Sequence, residues 1–190
     1  MDAFVAVSGV LRRLSNFDRF HMDASRQREE AARTALLAQL SELPCRNSAR
    51  AFAVITLADA AAESVGERAL LWALLSVSPE RPVTQQGWRV DDRHYFSDLY
   101  LPSQRAILEF DGAAKMGTTE AEFFRSRREQ MQRQLGLERA GLKVLRYQWN
   151  DLLSPDQLRK QLRNQLGLPL TGIPQLHRRL WAPNHHTRAR

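Results

Sequence analysis

The hydrophobic pattern of this chain changes its period at Ser78-Pro79. Before that point, apolar residues recur at three- and four-residue steps, which is the spacing of amphipathic helices. After it, three short segments of strand character lie at residues 83–90, 94–101 and 104–111. Their close spacing predicts an antiparallel meander. The chain therefore combines helices with a sheet.

Helix and strand alternate again after the meander. The pattern of residues 119–140 predicts a strongly charged helix that ends at Gly141. Residues 143–147 predict a strand, and residues 156–166 predict a last helix. The expected inner-face positions of the charged helix are Phe123, Phe124, Met131, Leu135 and Leu137. With a helix over residues 62–75, the order is helix, three strands, helix, strand, helix. This order predicts an α/β fold of the α+β type.

The first sixty residues predict helices alone, over residues 2–14, 24–43 and 48–57. The second of these helices carries an apolar stripe at Ala31, Ala35, Leu36, Leu40 and Leu43. Because the chain opens within a packed helix, we expect that further sequence once preceded Met1. We therefore divide the chain into a helical N-terminal segment at 1–60, a mixed domain at 62–167 and a loosely ordered basic tail at 168–190.

Composition indicates a globular protein with one real core. Of the 190 residues, 43% are hydrophobic and 26% are charged, which is ordinary for a folded domain. No run of about 18 apolar residues exists, which excludes a membrane-embedded role. The amino terminus lacks the basic start and the small-residue cleavage site of a secretory signal. The single Cys45 can form neither an internal disulfide nor a cysteine-based zinc site, and this favours a cytoplasmic location.

Positive charge is concentrated in the carboxy-terminal part of the chain. Residues 1–117 hold 14 basic and 15 acidic residues, whereas residues 118–190 hold 14 basic and 6 acidic residues. The whole excess of +7 therefore belongs to the second part. Such an asymmetry is expected of a surface that faces a polyanion such as nucleic acid. The alternative is a solvated arginine-rich surface, which the presence of only three lysines favours.

Four acidic residues occupy special positions in this order. Glu67 lies on the helix before the meander, and Asp98 lies in its second strand. Glu109 and Asp111 are two residues apart on the third strand, so their side chains are expected on one face. The tight connection over residues 101–104 can bring Asp98 alongside them. A fold that gathers like charges usually holds a cation, and Mg²⁺ bound by such carboxylates can support phosphodiester cleavage.

Each of these residues has an alternative explanation. Glu67 alone is also typical of a solvent-facing helix residue. Asp98 alone is also typical of a polar residue at a strand end, and Asp111-Gly112 alone is typical of a turn. The combination on one apolar strand favours a metal site.

Four short motifs carry a family resemblance. They are Glu63-Ser-Val-Gly-Glu67, Phe96-Ser-Asp98-Leu-Tyr-Leu-Pro102, Ala106-Ile-Leu-Glu109-Phe-Asp111-Gly112 and Glu138-Arg-Ala-Gly141-Leu-Lys-Val-Leu-Arg146-Tyr. In this order they resemble the very-short-patch-repair-like branch of the restriction-endonuclease-like PD-(D/E)xK superfamily, as found in actinobacterial and abortive-infection antitoxin-like proteins. The resemblance implies a restriction-endonuclease-like core, with a central mixed sheet flanked by helices and a helical segment before it.

The resemblance also implies roles for the acidic residues. Asp98 matches the first metal-binding aspartate, Glu109 the acidic residue of the second half-motif, and Glu67 an acidic residue on the first helix. The superfamily has lysine at the position of Asp111, so Lys115 is the expected catalytic lysine that orients the attacking water. The resemblance thus implies that Asp98, Glu109 and Asp111 bind Mg²⁺ or Mn²⁺.

Arginines after these motifs are the expected contacts to DNA. Arg133 matches an arginine that recurs in the relatives, and Arg128 and Arg146 lie near it in the predicted order. The alternative for the helix is a solvated charged face.

Two functions follow. The first is a metal-dependent DNA endonuclease in repair, restriction or phage defence. The second is a catalytically silent nucleic-acid-binding or regulatory module that keeps the nuclease fold. Carboxylates that converge beside Lys115 in an open groove would favour the endonuclease. Arginines that form salt bridges with the carboxylates would favour the non-catalytic module. A protein partner or a homodimer is compatible with both.

Overall fold

The computed structural model describes residues 1–43, 48–90, 93–112 and 120–181. Within them the chain forms eight α-helices and four β-strands. The helices are α1 (Asp2–Ser15), α2 (Met22–Glu42), α3 (Ser48–Leu57), α4 (Val65–Leu75), α5 (Glu120–Arg139), α6 (Trp149–Leu152), α7 (Pro155–Leu166) and α8 (Gln175–Arg179). The strands are β1 (Val83–Val90), β2 (Arg93–Leu101), β3 (Ala106–Phe110) and β4 (Lys143–Tyr147). None of these described helices has the length and apolar character needed to cross a membrane.

The four strands form one mixed sheet in the order β1-β2-β3-β4. β1, β2 and β3 run antiparallel, which confirms the predicted meander. β4 runs parallel to β3, with α5 between them in the chain. The predicted α+β fold, with a central mixed sheet, flanking helices and a helical N-terminal segment, is therefore confirmed.

One face of the sheet rests on α4. Nine of the residues from Gly66 to Leu75 are buried, as expected for a central helix that is apolar on nearly all sides. Leu99 and Leu108 of the sheet join this helix in the main core, together with Phe4 and Leu11 of α1. The N-terminal helices and the sheet therefore share one core.

The opposite face carries a smaller apolar cluster beneath α5. Its members include Ile107, Leu137, Leu142, Trp88 and Tyr100. The inward position of Leu137 is confirmed, but the same prediction is wrong for Met131 and Leu135, which are 65% and 42% exposed. Around these two residues, the side chains of α5 that face the sheet are polar, namely Gln130, Arg133 and Gln134. The side chains of Phe123 and Phe124 lie outside the described residues.

The fully buried positions of α2 are polar, so the predicted apolar stripe is wrong for the exposed Ala31, Ala35 and Leu43, whereas Leu36 packs against the core. The buried residues of this helix are Ser25, Glu29 and Arg33. In contrast, Leu43 is 60% exposed. Arg33 donates from Nη2 to Glu29 at 2.6 Å and from Nη1 to the carbonyl of Ala58 at 2.8 Å. The ion pair orients Arg33 within α2, and the hydrogen bond to Ala58 connects α2 to the segment between α3 and α4.

Asp59 anchors the same segment to β1. Its carboxylate accepts from Nη1 of Arg26 at 3.0 Å and from Oγ1 of Thr84 at 3.1 Å. Burial alone would raise the pKa of Asp59, but Arg26 and Arg81 hold it below its ordinary value. Asp59 is therefore ionised at neutral pH, where it stabilises the folded state.

Within residues 168–181, Leu168, His177 and Leu180 are buried, in contrast to the predicted loose tail. Leu180 is 1% exposed. Trp181 packs against Trp72 of α4, with the ring centroids 4.9 Å apart. These apolar residues dock the segment because they bury surface against α4, which outweighs the basic character of the stretch. Residues 182–190 lie outside the described part of the chain.

Gly66 allows the close approach of α4 to β3. A Cβ atom at Gly66 would lie 2.0 to 2.4 Å from three ring atoms of Phe110. We expect Gly66→Ala to lower the free energy of unfolding by about 1–3 kcal/mol through overpacking. Urea unfolding measures this change. The matched control is Gly87→Ala, where the nearest ring atom of Phe96 lies at 3.6 Å. Equal stability of Gly66→Ala and the wild type would contradict the packing described here.

His177 makes the stability of the fold sensitive to acid. Burial lowers the pKa of His177 below its ordinary 6.5, and Arg81 lowers it further, whereas the contact of Nδ1 with the carbonyl of Ser78 opposes the shift. The unfolded chain therefore binds this proton more readily, and the free energy of unfolding falls as pH drops below about 6.5. We expect a smaller fall in His177→Gln, and an unchanged fall in the exposed control His94→Gln. Urea unfolding at about pH 7.5 and about pH 5.5 compares them.

Candidate functional site

A row of four polar residues crosses the sheet, one from each strand. Gln85 of β1 and Asp98 of β2 lie opposite each other between the paired residues Thr84↔Leu99 and Gln86↔Ser97. The register aligns Asp98 with Glu109 of β3, one step beyond the last paired residues. Glu109 is in turn paired with Arg146 of β4. The sheet thus brings two predicted metal ligands and one predicted nucleic-acid-binding arginine into one row.

β2 and β3 separate at this row. Their paired residues end at Leu99↔Leu108. The N–H of Phe110 donates instead to Oδ2 of Asp98, at 2.8 Å. If β2 and β3 stayed paired, this N–H would donate to a backbone carbonyl of β2, and the Asp98 carboxylate takes the place of that acceptor. This hydrogen bond fixes Asp98 where the two strands part.

Two arginines hold the neighbouring carboxylates. Nη2 of Arg133, on α5, donates to Oε2 of Glu109. Nη1 of Arg146 lies 3.1 Å from the same oxygen and 3.0 Å from Oδ1 of Asp111. Glu109 is only 5% exposed, so its charge requires such partners. We name Asp98, Glu109, Asp111, Arg133 and Arg146 the acid–arginine cluster.

α5 presents a polar face to this cluster. Gln130, Arg133 and Gln134 are three and four residues apart, so they share one side of the helix. Gln130 donates from Nε2 to Oδ1 of Asp111 at 3.2 Å. Gln134 accepts at Oε1 from Nε of Arg146 at 3.3 Å. Sequence reasoning misses both glutamines, although their spacing with Arg133 is a readable signal.

Glu67 lies at the start of α4, which covers the other face of the sheet. It is 4% exposed, so the alternative of a solvent-facing residue is wrong. Its Oε2 accepts from the N–H of Glu63 at 2.7 Å and from Nε2 of Gln85 at 3.5 Å. Its own N–H donates to Oγ of Ser64 at 3.1 Å, which completes a helix cap. Among the described contacts, Glu67 is connected to the row through Gln85.

Gln85 adopts a backbone conformation that is unusual for its type. Its φ is 51°, in the left-handed region, whereas the residues of an extended strand have negative φ. The alternation of side chains in β2 is interrupted beside it. Tyr95 lies near the guanidinium of Arg133, and Tyr100 packs on the same α5 side, although they are five residues apart. This interruption accompanies the turn of the Gln85 amide toward α4.

Both arginines of the cluster keep a donor that lacks an acceptor. Nε of Arg133 and Nη2 of Arg146 are buried and have no hydrogen-bond partner among the described residues. An unpaired buried donor costs about 1–3 kcal/mol. The ion pairs therefore leave part of the hydrogen-bonding capacity of both arginines unused.

The carboxylates have the donor chemistry that Mg²⁺ prefers. This ion takes one or two protein carboxylates and completes its shell with water and phosphate oxygens. In the described part of the chain, no group of three or more His, Cys, Asp or Glu side chains is arranged to hold a metal ion. Asp98 and Glu109, aligned on β2 and β3, are the pair whose oxygen donors match this preference. In the structure, Oε2 of Glu109 is paired with Arg133 and Arg146.

Lys115 and Arg128 are the two remaining predicted residues. Lys115 lies outside the described residues. Arg128 is exposed on α5, where it faces solvent. Of the predicted nucleic-acid-binding residues, the structure therefore brings Arg133 and Arg146 together with the carboxylates.

Comparison with known proteins gives no relatives for this arrangement. No protein-family model matches the chain, and no curated protein or solved structure matches it either.

The hydrogen bond from Phe110 to Asp98 gives a test of the site's geometry. Asp98→Ala leaves the N–H of Phe110 without this acceptor, so we expect the free energy of unfolding to fall by about 1–3 kcal/mol. Asp98→Asn keeps an acceptor oxygen and should lose less. Urea unfolding gives both values, and amide hydrogen exchange at Phe110 should accelerate only in the alanine variant. Equal exchange rates in the two variants would count against the bond.

Proposed function

We propose that this chain is a restriction-endonuclease-like domain that binds DNA and hydrolyses its phosphodiester bonds with Mg²⁺ or Mn²⁺. The acid–arginine cluster carries the proposal. Asp98 and Glu109 are aligned where β2 and β3 part, and Arg133 and Arg146 lie beside Glu109. Such a cluster combines oxygen ligands for a cation with guanidinium donors for phosphate oxygens.

The order of the elements supports a restriction-endonuclease-like core. α4 is followed by β1, β2 and β3, then by α5, β4 and α7, with β4 parallel to β3. A mixed sheet flanked by helices is what the motif resemblance implies. Asp98 and Glu109 lie on β2 and β3, the strands to which the matched motifs assign them.

Four residues of the cluster have direct roles in this proposal. A Mg²⁺ ion bound by Asp98 and Glu109 would activate water and neutralise the charge that develops on the phosphate. The N–H of Phe110 holds Asp98 in a fixed orientation. Arg133 and Arg146 donate to the phosphate oxygens, for which the planar guanidinium is well suited. The orientation of the attacking water is assigned to Lys115.

Charge supports DNA as the partner. The second part of the chain, from residue 118, carries 14 basic and 6 acidic residues. α5, which belongs to this part, supplies Arg133 to the cluster and displays Arg128 to solvent. Phosphate contacts from these arginines would make DNA affinity fall steeply with salt.

A second candidate is a nucleic-acid-binding module without cleavage. One observation favours it: Arg133 and Arg146 occupy oxygens of Glu109 and Asp111. Arginines that stayed in this position would keep a cation from Glu109 while their remaining donors contacted phosphate. This module would bind DNA equally well with and without divalent cations.

A cleavage assay separates the two candidates. Purified protein is incubated with single- and double-stranded DNA and with Mg²⁺ or Mn²⁺. The control is the double variant Asp98→Ala/Glu109→Ala. We expect cation-dependent cleavage by the wild type and a loss of at least about a hundredfold in the double variant, because the expected ligands are removed.

Binding of DNA is measured in parallel by fluorescence anisotropy. Arg146→Gln should weaken binding and reduce the salt dependence by about one unit of log–log slope, as for one lost phosphate contact. Arg139→Gln, an exposed change in the last turn of α5, is the matched control. Binding without cleavage above that of the double variant selects the second candidate. No binding by the wild type refutes both.

A further inference from the structure

The two arginines of the cluster compete with any cation for the same oxygens. Oε2 of Glu109 accepts from Arg133 and lies 3.1 Å from Nη1 of Arg146. Oδ1 of Asp111 lies 3.0 Å from the same Nη1 atom. A divalent cation can bind Glu109 through this oxygen only after the guanidinium groups move away. Cation binding through Oε2 of Glu109 therefore requires a change in these ion pairs.

The hydrogen bonding of these arginines is incomplete, unlike that of the buried arginine of α2. Arg33 uses all three nitrogens, on Glu29, Glu30 and the backbone carbonyls that end α3. In contrast, Arg133 Nε and Arg146 Nη2 are buried without an acceptor among the described residues. The Arg33 pairs are thus a saturated structural contact. The pairs of Arg133 and Arg146 are not saturated, and a ligand with more oxygen atoms can offer these arginines additional acceptors.

A phosphodiester group is such a ligand. It carries a negative charge and two free oxygens, and guanidinium groups bind it in a bidentate manner. Arginines that turn to phosphate leave Glu109 and Asp111 as uncompensated carboxylates. Because an unpaired carboxylate as buried as that of Glu109 is costly, it would then bind a divalent cation more readily. The two binding events would favour each other.

We propose that Arg133 and Arg146 form a phosphate-responsive clamp on the acidic residues, which couples cation binding to DNA binding. In the free protein the clamp neutralises Glu109 and Asp111 and weakens cation binding. Backbone phosphate of DNA draws the arginines away and releases the carboxylates. The inference rests on the proposed function, since DNA is the source of the phosphate. By linkage, the cation must strengthen DNA binding by the same factor.

The test measures Ca²⁺ binding to the full chain in the absence of DNA, by isothermal titration calorimetry. Arg146→Gln removes the residue that spans Glu109 and Asp111. We expect it to bind Ca²⁺ about tenfold more tightly than the wild type, within the usual range of coupling between sites. The matched control Arg139→Gln should bind like the wild type. Thermal unfolding of each variant verifies the fold, and Arg133→Gln replaces Arg146→Gln if the latter does not fold.

A second arm measures the affinity for a duplex oligonucleotide with and without Ca²⁺ at constant ionic strength. The wild type should gain at least about fivefold with Ca²⁺, and Arg146→Gln should lose most of this gain. Equal Ca²⁺ affinity of the folded variant and the wild type, or no Ca²⁺ binding by either, overturns the clamp. Absence of DNA binding by the wild type overturns the proposed function, whereas the Ca²⁺ arm still decides whether the arginines restrain the carboxylates.

Discussion

The buried carboxylate of Glu109 is the constraint on which the rest of the site depends. It stands at 5% exposure on a strand whose other residues are all buried. A charge in this position is tolerated only with hydrogen-bonded partners of opposite charge. Arg146 reaches it from the neighbouring parallel strand, and Arg133 reaches it from α5. Ion pairs therefore join α5, β3 and β4 at the point where their apolar packing ends.

The two faces of the sheet differ: α4 packs on one face, and the candidate site lies beside α5 on the other. On the α4 face, the Cβ-free Gly66 lets Phe110 approach the helix, so the end of β3 is held rigidly from below. On the α5 face, the apolar cluster around Ile107 and Leu137 is small. The strands continue past this cluster into the polar row, where Asp98 takes the N–H of Phe110. A rigid scaffold beneath a polar strand end is suited to present reactive side chains.

Much of the secondary structure could be predicted from the sequence, because periodicity and turn residues are local signals. The segments 83–90, 143–147 and 48–57 have the predicted bounds. The orientation of α2 could not be predicted, because its polar residues are turned inward by partners far along the chain, such as Asp59. Exposure of Met131 has a similar origin, since the tertiary contacts of α5 are polar at that level.

The candidate site was predictable in its members but not in its contacts. Spacing alone placed Glu109 and Asp111 on one face and Asp98 on the adjacent strand. No local pattern indicates that Arg133, 24 residues from Glu109, pairs with it. The left-handed backbone of Gln85 is equally invisible in sequence, since only glycine or asparagine would have signalled it. Such contacts depend on the assembled sheet.

The central claim is that the arginines and carboxylates of the cluster exchange partners when DNA binds. The most direct measurement is a crystal structure of the full chain with a DNA duplex and Ca²⁺. The account predicts that Arg133 and Arg146 contact a backbone phosphate, and that Ca²⁺ lies between Asp98 and Glu109. A complex in which both arginines still hold Glu109, with DNA bound elsewhere on the protein, would contradict it.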